Sequence, residues 1–302
     1  MINKFGLNRN IPENIKREIR QKSGFGCVFC GDWIYQYEHI LPEFNDARIH
    51  DPEKICLLCT KHHQKVTVGR ISKQQVIEAY RNPKALQRGY ASDYLEMGRK
   101  FGIVLGRIFI PEPKTVLTID DIPLITFIEP TNDEPAKLTA KLFDDRGNLS
   151  LEIKENEIFG YVENWDIDQR GTRTIIRRKR GEIVLQMNIL SEHILEIEKI
   201  NMVYGNGTLK SNSDTGKIFI QSASGATIDF DYGEIMTEGI SINEDKISFD
   251  KGMFLGSQFG LAKMDYEGFM RGEPPHSVAS TKESKDKNNS PLVTPAEESL
   301  NK

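Results

Sequence analysis

The spacing of hydrophobic and polar residues divides this chain into three textures. In the first, short periodic runs are cut by strong punctuation. Asn10-Ile11-Pro12-Glu13 reads as a helix start, with Asn10 as N-cap, Pro12 in the first turn and Glu13 reaching back. That helix runs to about Lys22 and stops at Gly24. Residues 33–40 are apolar enough for a short strand, 42–52 read as loop, and 55–58 as a second short strand. Residues 60–67 fit a helix. Ser72 with Gln75 forms a capping box for another, which ends before Pro83.

From about Gly102 the texture changes. Pro111 and Pro113 mark a linker or an edge. Beyond them, apolar residues recur at every second position: Leu149-Leu151-Ile153, Ile183-Leu185-Met187-Ile189 and Ile228-Phe230-Tyr232. A strand that buries one face and wets the other has this period. Turn residues punctuate the runs at Asp144-Asp145-Arg146-Gly147, Gly205-Asn206-Gly207 and Ser224-Gly225. From Arg271 onward there is almost nothing to bury, which predicts a disordered tail. The expected fold class is α+β: a compact module over residues 1–100, a larger all-β domain over 101–270 that is either a sandwich or β-helix-like, and a tail over 271–302.

Composition sharpens this picture. The 302 residues favour more than one domain, and 38% hydrophobic residues suffice for buried cores. Residues 1–83 carry 13 Lys and Arg against 9 Asp and Glu, while the remainder carries 27 against 35. A mildly basic module on an acidic body suggests that a polyanion meets the module. The N-terminus has no stretch of signal-peptide type, and no apolar run approaches the length of a membrane span. The expectation is a cytoplasmic protein without membrane partners.

The chemistry concentrates in one place. All four cysteines (Cys27, Cys30, Cys56, Cys59) and four of the six histidines (His39, His50, His62, His63) lie between positions 27 and 63. Close-spaced Cys and His in a reducing compartment read as zinc ligands. Cys27-x2-Cys30 supplies two thiolates from one turn, and zinc wants four N or S donors. The second pair is either Cys59 with His62 or Cys56 with Cys59. The first choice is preferred; it leaves the adjacent His63 free for a second metal, whereas the second leaves both histidines free. Glu38-His39 then offers an oxygen ligand beside a candidate general base, and neutral imidazole suits that role near pH 7.

These residues resemble a family. The order Cys27-Val28-Phe29-Cys30-Gly31, Tyr37-Glu38-His39-Ile40-Leu41-Pro42 and Ile55-Cys56-Leu57-Leu58-Cys59-Thr60-Lys61-His62-His63 is similar to the HNH endonucleases of the ββα-metal, or His-Me finger, group. The likeness covers about residues 10–83. It implies a metal-dependent endonuclease that hydrolyses DNA phosphodiester bonds, on a zinc-stabilised ββα-metal module. It implies structural Zn2+ on Cys27, Cys30, Cys59 and His62. It places a catalytic Mg2+ or other divalent cation on Glu38 and His63, with His39 as the base that activates water. Two positions depart from the family pattern. Glu38 stands where Asp is usual, and Lys54 stands where a loop-bracing Asn is usual, with Asn45 earlier in the same loop. The Lys54 departure favours the alternative, a non-catalytic zinc module that docks on nucleic acid or protein.

Other residues carry less. His50 reads as a loop residue, with phosphate contact as the sharper option, and Cys56 as a small buried hydrophobe. Lys61, Lys65 and Arg70 are candidates for backbone phosphates. Arg173 and the run Arg177-Arg178-Lys179-Arg180 read as a hairpin end or a nucleic-acid contact. Trp165 reads as core. The β-rich domain is expected to engage a protein or ligand partner, and nothing in its residues names one.

Overall fold

Helix α1 spans Glu13–Lys22 and begins directly after Pro12, whose extended ψ of 145° occupies the N-cap position. Asn10 is therefore not the N-cap: it lies too far upstream to reach the first-turn amides, and no side chain caps them. The computed structural model describes residues 2–255, apart from 107, 192–193, 212–214, 216, 231–232, 237–238 and 251–252. The chain divides into two units, Met1–Met264 and Asp265–Lys302. Every described residue belongs to the first, and the tail expected over 271–302 lies outside the described residues.

Strands β1 (Gln36–His39) and β2 (Ile55–Leu58) form an antiparallel pair, with Glu38 opposite Cys56 and His39 opposite Ile55. Strand β1 is shorter than the expected 33–40. Helices α2 (Thr60–Thr67), α3 (Lys73–Arg81) and α4 (Lys84–Arg88) follow. The capping box of α3 forms as its sequence predicts, with Ser72 accepting from the Gln75 amide. All four residues of β2 are buried, because both of its faces are covered. Ile55 and Leu57 pack with Ile11 and Ile19 of the α1 side. Cys56 and Leu58 pack with Cys27, Val28, Val66 and Val76. Alternation along a strand sends neighbours to opposite faces, so one four-residue strand serves two small cores.

The rest of the described chain is strand. An eight-stranded sheet has the spatial order Ile247–Asp250, Gly239–Ile242, Thr115–Ile119, Ile122–Ile128, Lys137–Phe143, Leu149–Lys154, Glu157–Tyr161 and, at its edge, β3 (Tyr90–Tyr94). An eleven-stranded sheet runs Asp166–Arg170, Arg173–Lys179, Glu182–Ser191, Ile194–Tyr204, Gly102–Leu105, Ile108–Pro111, Gly233–Met236 and Met253–Leu255. Three further strands, Gly207–Ser211, Ile218–Ser222 and Thr227–Phe230, branch from Ile194–Tyr204. Pro111 closes a strand paired with Gly102 and is not a linker. Side chains of both sheets meet in one hydrophobic core, including Ile103, Leu117, Ile125, Leu185 and Ile197. The protein is thus mixed α and β, rich in strand, with large sheets. Among the described residues no helix is long and apolar enough to cross a membrane.

The N-terminal elements are fastened to these sheets in two ways. Strand β3 hydrogen-bonds to Glu157–Tyr161, and Phe25, Trp33, Ala85 and Ala91 join the large core. Trp33, 2% exposed, lies against Gly160, where a Cβ would stand 1.9 Å from its ring. Its indole N–H donates to Gln169 at 2.6 Å. The second fastening is ionic. Arg20 of α1, 1% exposed, donates from Nε and Nη2 to the two oxygens of Asp166, both at 2.9 Å. Its Nη1 lies 3.2 Å from Asp168 and donates to the Tyr37 hydroxyl at 3.0 Å. Burial opposes its charge, but the bond to Asp166 together with the electrostatic pull of Tyr37, Asp166 and Tyr35 outweighs it and holds the guanidinium more firmly protonated than usual.

Candidate metal centre and active site

Cys27 and Cys30 sit on a tight turn closed by Gly31, at φ +76°, whose amide donates to the Cys27 carbonyl at 2.7 Å. Only glycine adopts that conformation without cost. Cys59 is the N-cap of α2, and His62 lies within its first turn. The donor atoms of Cys27, Cys30, Cys59 and His62 all fall within 4.8 Å of one another. Individual separations are 3.8 Å from Cys30 Sγ to Cys59 Sγ, and 3.5, 3.5 and 3.2 Å from His62 Nδ1 to Cys27, Cys30 and Cys59. Tetrahedral zinc, with bonds of about 2.3 Å to sulfur and about 2.0 Å to nitrogen, spaces its donors about 3.8 Å (S to S) and about 3.5 Å (S to N) apart. The group fits zinc in chemistry and in size.

The thiols respond to their proximity. Cys30 donates to Cys27 and pulls its thiol below the ordinary value; the same bond raises Cys30. The Phe29 ring stacks on His62 at 5.0 Å and fixes its plane. Cys56 does not join the group. It is fully buried on β2, and burial raises its thiol well above the ordinary value, so it serves as a small hydrophobe.

One residue along α2 rotates a side chain by about 100°. His63 therefore leaves the knuckle and meets Glu38 of β1, Nε2 to Oε2, at 3.2 Å. Glu38 has a second partner: the Lys73 ammonium lies 2.5 Å from its other oxygen and donates to the His39 carbonyl at 3.0 Å. The capping box puts Lys73 at the first residue of α3, which is the sequence signal that could have placed it. Glu38 and His63 offer two protein ligands side by side, half-buried and reachable from solvent. Among the described residues the four-membered knuckle is the one group of three or more His, Cys, Asp or Glu gathered closely enough to hold an ion.

His39, the next residue of β1, faces the loop at Phe44 and His50. Burial, with His50 next in strength, pulls its imidazole down to about 4, so it is neutral near pH 7. Its Nε2 lies 3.3 Å from His50 Nδ1, and Phe44 packs edge-on at 5.5 Å. His50 is in the loop, as its sequence context suggests, but it is turned inward and 8% exposed. The loop is held by a residue that sequence reasoning passes over. Asn3 donates to the carbonyls of Phe44 and Ala47 at 2.6 and 2.7 Å, and accepts from the amides of Phe5 and Leu7. Lys54 contributes its backbone carbonyl, which accepts from Ile40 at 2.8 Å.

The remaining candidates separate. Lys61 and Arg70 are exposed and Lys65 is half-buried. Arg173 faces Glu198, Arg177 faces Asp166 and Asp168, Arg178 faces Asp145 and Glu182, and Lys179 faces Glu182. The basic run on the β-rich side is thus largely matched by carboxylates. Trp165 is half-buried rather than core, with the Arg17 guanidinium 4.6 Å from its ring.

Comparison with known proteins adds no identification: no family model, no curated protein and no solved structure matches the chain.

Proposed function

We infer that the protein is a metal-dependent endonuclease that hydrolyses DNA phosphodiester bonds, on an HNH-like ββα-metal module formed by β1, β2 and α2. One observation carries the reading. The helix that brings His62 to the four-donor knuckle also brings His63 within 3.2 Å of Glu38, on the strand that bears the neutral His39. Glu38 and His63 would hold a divalent cation such as Mg2+, which when bound stabilises negative charge on the leaving oxygen. His39 takes the proton of a water as its oxygen bonds to phosphorus and the bond to the leaving sugar oxygen breaks. Lys61 and Arg70, exposed on and after α2, are placed to meet backbone phosphates. The departure at Lys54 is compensated in this reading by Asn3 and His50, which hold the loop behind the base. Four free cysteines suit a reducing, cytoplasmic setting.

The β-rich part would bind or sense a protein or ligand partner that licenses cutting. Tyr37 supports this role: it neighbours Glu38 on β1 and accepts from Arg20, whose buried carboxylate partners, Asp166 and Asp168, lie on the first strand of the larger sheet. A second reading, a zinc module that binds nucleic acid or protein without cutting, is favoured by the Lys73 ammonium seated on Glu38. Incubating supercoiled plasmid with the full chain and Mg2+ or Mn2+, with and without EDTA, separates the two. Metal-dependent nicking abolished by EDTA is expected. Retained DNA binding with no nicking in either metal would favour the second reading.

A further inference from the structure

Two histidines and a backbone carbonyl form a chain behind the candidate base. His50 Nε2 lies 2.8 Å from the Asn8 carbonyl oxygen, and His50 Nδ1 lies 3.3 Å from His39 Nε2. A carbonyl oxygen only accepts, so the His50 proton must sit on Nε2. In a neutral ring that leaves His50 Nδ1 as a bare lone pair, which requires a donor opposite it. The donor is His39 Nε2–H. A neutral imidazole carries one ring proton, so His39 Nδ1 is left bare. The chain is anchored at its far end. Asn8 pairs with Ile2 in a β-bridge, and the Asn3 side chain ties that N-terminal hook to the loop carrying Phe44 and Ala47.

We propose that His50 is a positioning residue: held by the Asn8 carbonyl, it fixes His39 in the Nε2–H tautomer, so that Nδ1 is the atom that takes the proton from the attacking water. With both rings neutral, the tautomer follows from the hydrogen bonds; its use in catalysis rests on the nuclease reading. In the step itself the water O–H bond breaks and a new N–H bond forms at Nδ1, while the water oxygen bonds to phosphorus. The imidazolium that results keeps its Nε2–H on the His50 lone pair. The same arrangement accounts for a histidine, and not an apolar residue, at a position almost closed to solvent.

Two measurements test it. In the zinc-loaded full chain labelled with 15N, long-range proton–nitrogen correlation distinguishes protonated from bare ring nitrogens. His39 is expected to show a protonated Nε2 and a bare Nδ1, and His50 a protonated Nε2. A protonated His39 Nδ1 overturns the proposal, whether or not the protein cuts DNA. The second measurement is plasmid nicking by two variants. His50→Phe fills the space without a nitrogen and is expected to lower kcat by about tenfold to a hundredfold with KM unchanged, the range that orienting partners of site imidazoles carry. His50→Asn, whose side-chain oxygen can accept where Nδ1 does, is expected to recover most of the loss. Equal impairment in both, or a His39 tautomer unchanged in His50→Phe, overturns the proposal. If His50→Phe does not fold, the wild-type tautomers still decide it. Should the wild type nick no DNA, the nuclease reading fails while the tautomer result stands.

Discussion

The knuckle gathers four donors within 4.8 Å, whereas the neighbouring Glu38–His63 pair gathers two donors and a lysine. Both draw on helix α2, and His62 and His63 are adjacent in sequence. A closed set of four N and S donors has no place for a substrate and reads as structure; an open set leaves coordination positions for water or a phosphate. The difference teaches that one residue step along a helix can carry a side chain from a closed four-donor group to an open pair. It also shows where each signal lives. The closed set is written in spacing, and the open one depends on what the third dimension brings to it.

The comparison breaks most readily at the knuckle. Structural zinc in a small fold contributes about 10 kcal/mol. Elemental analysis should give one zinc per chain, and Cys27→Ser should release it and lower the melting temperature sharply. Unchanged zinc and melting temperature in that variant would contradict a closed four-donor site. Next in size is the buried clasp. Arg20→Ala leaves Asp166 and Asp168, both nearly inaccessible, with only Arg177 and Arg170. Removing one partner of a buried ion pair costs about 3–5 kcal/mol. Chemical denaturation should show that loss, and a change below about 1 kcal/mol would mean that the remaining arginines satisfy the aspartates.

Smaller effects sharpen the picture. Gly160→Ala puts a methyl into the Trp33 ring, and overpacking of this kind costs about 1–3 kcal/mol. The Trp33 emission should move with it; an unperturbed indole would show that the ring is not seated there. Lys73→Ala removes the ammonium that competes for Glu38. Mn2+ titration should then show tighter binding by about fivefold, the effect of roughly 1 kcal/mol between solvent-screened charges. No gain would argue that Glu38 does not bind a cation.

Much of the N-terminal region is legible in its sequence because its determinants are local. Two ligands from one turn and two from the start of one helix fix the knuckle, and the Ser72–Gln75 capping box fixes α3. Period-two spacing likewise marks the strands at 149–154 and 182–191. What is not legible is non-local. Nothing in the composition of α1 distinguishes Arg20 from its solvated neighbours; its buried carboxylate partners, Asp166 and Asp168, are 146 and 148 positions away. Asn3 and Asn8 carry no pattern of their own, and act through backbone groups whose positions only the fold supplies. The Asn10 expectation failed for a local reason, since Pro12 itself takes the extended N-cap position directly before Glu13.

The central claim is that the open site cuts DNA with His39 as its base. The direct measurement compares plasmid nicking by wild type and His39→Ala at equal protein, zinc loading and Mn2+. Loss of a general base lowers rates by about 10²–10⁴-fold. The account predicts a loss in that range, with zinc content and DNA binding unchanged, because His39 belongs neither to the knuckle nor to the phosphate contacts. Equal rates in the two proteins, both suppressed by EDTA, would contradict it and place the activity elsewhere.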